Sequence, residues 1–188
     1  MAVSAAYAFM DELANKENIG LQELNAATRE DTFASLLACC GSLSWAQRMA
    51  AARPFADVAS LLATADRIWW ELRPTDWLEA FASHPRIGER KAATPQSSQA
   101  AQWSEQEQAG TCQAAEETMG ALAEANRAYE EQFGYIYIVC ATGKSSEEML
   151  ALCQQRLSND YETELQMAAE EQRKITAIRL RKLIGVVE

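Results

Sequence analysis

At 188 residues the chain is long enough for one domain with a substantial core, and nothing in its length requires a second. A formal net charge of −10 argues against nucleic acid or an anionic membrane surface as partner, because both need clustered Lys and Arg. It leaves room for a small anionic substrate, since a pocket can be locally basic in an acidic protein.

In chain order, Ser4 to Lys16 is expected to be helical and to end near Asn18 and Gly20, giving a helical extension over residues 1–20 ahead of a domain over 21–188. Leu21 to Leu24 begins a second short helical turn. Thr28 with Asp31 heads a third helix, whose Phe33, Leu36, Leu37 and Cys40 fall at helical spacing before Gly41. Ser44 to Arg53 follows, stopped by Pro54. Ala56 to Leu72 is amphipathic through Val58, Leu61, Leu62, Ala65, Ile68 and Trp69, and Arg73-Pro74 ends it. Asp76 to Phe81 reads as a short helix with Asp76 as N-cap and Glu79 completing a capping box; Pro85 should close it at about Ser83.

Lys91 to Gln102 has no apolar period and is expected to be a mobile loop. Ser104-Glu-Gln-Glu107 then carries a capping-box signature and opens a long helix that ends at Phe133-Gly134, with glycine just past the end. From Tyr135 to Ala141 the period collapses into a β-branched and aromatic run that reads as extended. Ser145 and Glu148 stand in capping register for the next helix, and a last one runs from about Asp160 to Ile184. The pattern is therefore all-α: a single helical bundle with one short extended segment near 135–141.

The chain has a single histidine, so any imidazole chemistry belongs to Phe81-Ala-Ser-His84-Pro85-Arg86-Ile87-Gly88. Just past a helix C-terminus, His84 would feel the negative end of the helix dipole, which favours imidazolium and raises the pKa toward the range of a useful proton donor. The competing reading is a surface turn that happens to contain His. The extended run lacks a strand partner, so its backbone N–H and C=O groups either bind a ligand or are satisfied as a buried connector. On the last helix Ile175, Ile178 and Leu183 define a buried arc with Arg179 inside it, which implies a structural ion pair or an anion anchor; Lys182 lies near the same arc and can snorkel. Cys39, Cys40, Cys112, Cys140 and Cys153 form no CxxC pair, and with one His a zinc site is not expected. Such scattered thiols suit a reducing, cytoplasmic compartment, and neither a signal peptide nor a membrane span is expected. Cys140 reads as a small packed hydrophobe rather than a nucleophile.

Several segments, taken in order, resemble the 2-oxo-4-hydroxy-4-carboxy-5-ureidoimidazoline (OHCU) decarboxylases of urate breakdown. They are His84-Pro-Arg-Ile-Gly88, Ser104-Glu-Gln-Glu-Gln-Ala-Gly110, Asn126 to Ala141, and Ile175-Thr-Ala-Ile-Arg179-Leu180. The resemblance implies an all-α fold, usually dimeric, that converts OHCU to (S)-allantoin and CO2 without metal or organic cofactor. It makes His84 the catalytic acid/base and Arg179 the cationic residue of the site. Pro85, the helix start from Ser104 through Glu107 to Gln108, and Tyr137, Ile138, Val139, Cys140 and Ala141 would line the substrate. Arg86-Ile87 is a departure, since many relatives carry Asp-Leu there.

The chemistry suits these residue types. Loss of CO2 leaves an electron pair that the conjugated ring of OHCU can hold, so pyridoxal, thiamine or metal is not required. What remains for the protein is to orient the carboxylate, offset developing charge and protonate one face. Glu107 would accept the substrate N–H groups, and Gln108 would add a neutral donor and acceptor. Two rivals stand beside this reading. One is a non-catalytic interaction domain using Trp45, Trp69, Trp70 and Trp103 as surface anchors. The other is a hydrolase of a related purine or hydantoin ring.

Overall fold

Helix starts and stops follow the capping chemistry of the sequence. The computed structural model describes residues 19–87, 99–100, 102–103 and 116–186, and all regular structure among them is α-helical, as expected. These residues group into two compact units, 19–72 with 176–186 and 73–175, a finer division than the single bundle expected over 21–188. The closing helix is shared, passing from the second unit to the first between Ile175 and Thr176.

The first unit holds α1 (residues 19–26), α2 (Arg29–Cys40), α3 (Leu43–Ala51) and α4 (Val58–Trp70). Thr28 accepts the Asp31 N–H at 3.1 Å to cap α2, and Gly41 closes it at φ 84°. Asp57 and Ser60 cap α4 reciprocally. Leu36, Trp45, Met49, Leu61, Ile68 and Trp69 fill the core, where the Trp45 indole N–H donates to Ala65 O at 3.1 Å. Asn25 brackets the Phe55 backbone with two 2.9 Å hydrogen bonds, and Arg53 donates to the carbonyls of Leu24 and Ala27 at 2.9 and 2.8 Å. The expected break at Asn18-Gly20 is corrected in part: Gly20 lies within α1, held against the Ile184 backbone, where a Cβ would meet the carbonyl oxygen at 2.1 Å. Glycine serves close approach there rather than termination.

The second unit holds α5 (Pro74–Ala82), α6 (Glu116–Phe133), α7 (Ser146–Arg156) and α8 (Tyr161–Leu183) as far as Ile175. The mobile loop expected over Lys91–Gln102 is described only at its end, where 99–100 and 102–103 are helical and Ala100 and Trp103, one turn apart, are buried. No described helix is long and apolar enough to cross a membrane. The expected helix at Ser4–Lys16 lies outside the described residues.

Candidate active site

The sequence reading starts α5 at Asp76, but the helix begins at Pro74, with Arg73 as N-cap at ψ 154°. Proline suits the first helical position, and it holds the residue before it extended. Asp76 is then the third helical residue, and its carboxylate accepts the Arg73 N–H at 3.2 Å. The C-terminus falls at Ser83 as expected, and the His84 N–H donates to Phe81 O at 3.1 Å. His84 is 9% exposed with Nε2 buried, so the surface-turn alternative does not hold.

Two contacts from α6 hold the turn. Arg86 forks onto the Glu130 carboxylate at 2.9 and 2.7 Å, and Asn126 Nδ2 donates to Ile87 O at 2.8 Å. Asn126 and Glu130 are four residues apart and so share one helix face, a spacing readable in the sequence but without meaning until its partner was known. The Asn126 Oδ1 is buried and accepts no hydrogen bond among the described residues.

Gly134 at φ 77° turns the chain out of α6, and Tyr135 to Ala141 belongs to neither helix nor strand. Its rings join a cluster with Tyr129 and Phe133, and the Phe81 ring at the end of α5 lies 5.4 Å from Tyr135. The His84 turn and the extended segment thus flank α6 in one unit. Side chains satisfy much of the backbone: Ile138 O accepts from Arg156 Nη1 at 2.8 Å, the Cys140 N–H donates to Glu171 at 2.8 Å, and Cys140 O accepts from Lys144 Nζ at 2.7 Å. Ala141 O accepts the Lys144 N–H at 3.0 Å. The N–H and C=O groups of Tyr137 and Val139 make no hydrogen bond among the described residues. The connector reading thus holds for Ile138 O and for the backbone of Cys140 and Ala141.

Burial pushes the hydroxyls of Tyr129 and Tyr137 well above their ordinary value and that of Tyr135 up to about 12, although the nearby Arg156 guanidinium acts in the opposite sense. These are neutral donors at any physiological pH; Tyr137, for one, donates to Met149 O at 3.3 Å. Arg156 was not singled out from the sequence. It is 4% exposed and ion-paired to Glu164, itself fully buried. The available signal was its place one turn beyond Cys153 and two beyond Met149 on the buried stripe of α7.

Arg179 is 2% exposed on α8, as its place on the helix predicts, and it belongs to the first unit. The arc around it is corrected: Ile178 and Leu183 are half-buried, whereas Ile175, Thr176 and Leu180 are buried with it. Ser104, Glu107 and Gln108 lie outside the described residues. A groove of about 440 Å³ in the first unit is lined by Arg29, Glu30, Phe33, Gln47 and Ala50 and holds none of the expected site residues. No three metal-ligating side chains gather among the described residues. Of the four tryptophans that an interaction domain would display, Trp45, Trp69 and Trp103 are buried and Trp70 is exposed, which removes the aromatic patch that reading needs.

The sequence matches the OHCU decarboxylase family over residues 25–181. It is 36% identical over 148 residues to the uric acid degradation bifunctional protein TTL of Arabidopsis thaliana, covering 78% of this chain and 45% of that protein. It is 28% identical to the uric acid degradation bifunctional protein PucL of Bacillus subtilis (strain 168), covering 87% of this chain and 32% of that one. The chain thus spans less than half the length of these curated relatives. A crystal structure of an OHCU decarboxylase in the presence of (S)-allantoin superposes with TM-score 0.70 at 35% identity, covering 85% of this chain and 99% of that one. A crystal structure of (S)-allantoin synthase, at TM-score 0.64 and 17% identity, covers 87% of this chain and 53% of its own and shares the fold.

Proposed function

The chain belongs to the OHCU decarboxylase family, and from that premise we propose that it converts OHCU to (S)-allantoin and CO2, with His84 handling the proton at the reacting carbon. The observation that carries this reading is the family match over 25–181, a span that includes His84, Glu107 and Arg179. Support also comes from the burial of the chain's single imidazole in a turn fixed at two points, which suits a group that must meet one atom of one substrate.

In the proposed reaction the bond from the ring carbon to the carboxylate breaks, CO2 leaves, and the electron pair passes into the conjugated ring. His84 supplies the proton that completes the product on one face. A preformed site outside water favours this step because donors aimed at developing charge need no reorganisation. Arg179 would offset that charge, Glu107 would accept the ureido and ring N–H groups, and Gln108 would contribute its amide. Pro85 and Ser104 would shape the wall beside them. The edge of the segment from Tyr137 through Ile138, Val139 and Cys140 to Ala141 that carries the N–H and C=O of Val139 presents a donor and an acceptor side by side, the complement of a cyclic amide.

The resemblance also supports a homodimer acting in the cytoplasm, and the buried thiols Cys39, Cys40, Cys140 and Cys153, none in a disulfide, suit a reducing compartment. Sedimentation of the purified chain tests the dimer. The decisive experiment is freshly generated OHCU followed by circular dichroism for optically active allantoin and by CO2 release. The native chain should yield both, and His84→Asn should abolish the chiral product while the far-ultraviolet spectrum stays native. Unchanged turnover in His84→Asn would remove His84 from the chemistry, and ring opening without CO2 would favour the hydrolase instead.

A further inference from the structure

Arg156 closes α7 with all three guanidinium nitrogens engaged. Nε donates to Glu164 Oε1 at 2.8 Å, Nη2 reaches the same oxygen and Tyr129 Oη, and Nη1 donates to Ile138 O at 2.8 Å. Its central carbon lies 4.9 Å from the centroid of the Tyr137 ring and 5.8 Å from that of Tyr129. Glu164 in turn accepts from Asn159 Nδ2 at 2.8 Å and from the Tyr129 hydroxyl. Burial is the largest influence on Arg156 and works against its charge, but the Glu164 hydrogen bond and the electrostatic influence of Tyr129, Glu164 and Tyr137 together outweigh it and raise the pKa.

A buried ion pair of this kind often adds little net stability compared with apolar residues of similar volume, so stability alone is a weak reason for its presence. Its geometry suggests a better one. The fork that pairs with Glu164 leaves Nη1 over, and that nitrogen donates to the Ile138 carbonyl within the segment from Tyr137 to Ala141. Glu171 and Lys144 take both backbone groups of Cys140, two residues on. Between these two anchored residues, the N–H and C=O of Val139 make no hydrogen bond among the described residues.

We propose that Arg156, held by Glu164, is a positioning residue that sets the rotation and depth of the substrate-binding segment through the Ile138 carbonyl. The inference rests on the reading given under Proposed function, in which that segment holds the planar substrate. It differs from a purely structural role in one respect: the hydrogen bond to Ile138, not the ion pair, is what substrate binding requires.

The test replaces the pair by apolar residues of similar volume, Arg156→Met with Glu164→Leu, in the full chain. Such replacements commonly preserve folding, but this one deletes the donor to Ile138. Loss of one hydrogen bond in the bound state corresponds to about a tenfold rise in KM for OHCU, with kcat changing by less than about threefold. Amide exchange at residues 137–141 should accelerate in the variant relative to the rest of α7 and α8. A folded double variant with native KM and native exchange over 137–141 would overturn the proposal. Should the double variant fail to fold, Arg156→Lys decides by the same two readouts, since lysine keeps the charge but cannot serve Glu164 and Ile138 in one planar fork. If the native chain does not decarboxylate OHCU, the functional reading falls, whereas exchange over 137–141 still decides the positioning role.

Discussion

A methyl group added at Gly20 would sit 2.1 Å from the carbonyl oxygen of Ile184, with two more backbone atoms of that residue inside 3 Å. Backbone cannot swing aside as a side chain does, so Gly20→Ala should cost about 1–3 kcal/mol, in the range of an overpacked core. Gly120 provides the opposite case. It is exposed in the middle of α6 with nothing within 4 Å of its added Cβ, so Gly120→Ala should gain about 0.5–1 kcal/mol by limiting the unfolded chain. Urea melts of the two variants check both signs at once; equal shifts in one direction would contradict the packing at Gly20. The sequence showed both glycines and could not tell them apart, because the neighbour that matters at Gly20 is 164 positions away.

Helix ends are where the sequence spoke most plainly, since a cap and its partner stand within one turn of each other. Thr28, Ser145 and the positive-φ glycines Gly41, Gly134 and Gly185 lie where capping chemistry put them. The misplaced start of α5 is instructive for the same reason: Asp76 is an acceptable cap in isolation, and the decisive neighbour was the proline two residues earlier. At α7 the box is complete, with Ser145 Oγ accepting the Glu148 N–H at 3.2 Å and the Glu148 carboxylate accepting the Ser145 N–H at 2.7 Å. Ser145→Ala should therefore lower stability by about 1 kcal/mol, read from the urea midpoint. Because α7 ends in Arg156, the same substitution should leave KM for OHCU near native if the helix reforms intact. A raised KM at native stability would mean that the start of α7 and its far end are coupled more tightly than a capping defect allows.

At the scale of the whole molecule, what sequence could not supply was the company kept by the segment from Tyr135 to Ala141. Its apolar and aromatic character announced an extended run, but its partners Arg156 and Glu171 come from 18 and 31 residues downstream. The consequence is a dense set of protonated groups in one unit. Burial raises Tyr135 from 10.0 to about 12 and Cys153 from 9.0 to about 11, and it raises Tyr129 and Tyr137 in the same sense. Each of these groups keeps its proton in the folded chain at a pH where the unfolded chain has lost it. The folded state thus binds more protons, and stability must fall as pH increases. Their contribution is complete below about pH 9, the lowest of the unfolded values, and drains away as the pH rises toward 12. The urea midpoint should accordingly decline steadily above about pH 9, while tyrosinate absorbance of Tyr129, Tyr135 and Tyr137 stays absent until the fold gives way. Ionisation of those three in the native protein at the pH of a free tyrosine would show the ring cluster open to water, and with it the wall on which Arg156 and Ile138 rest.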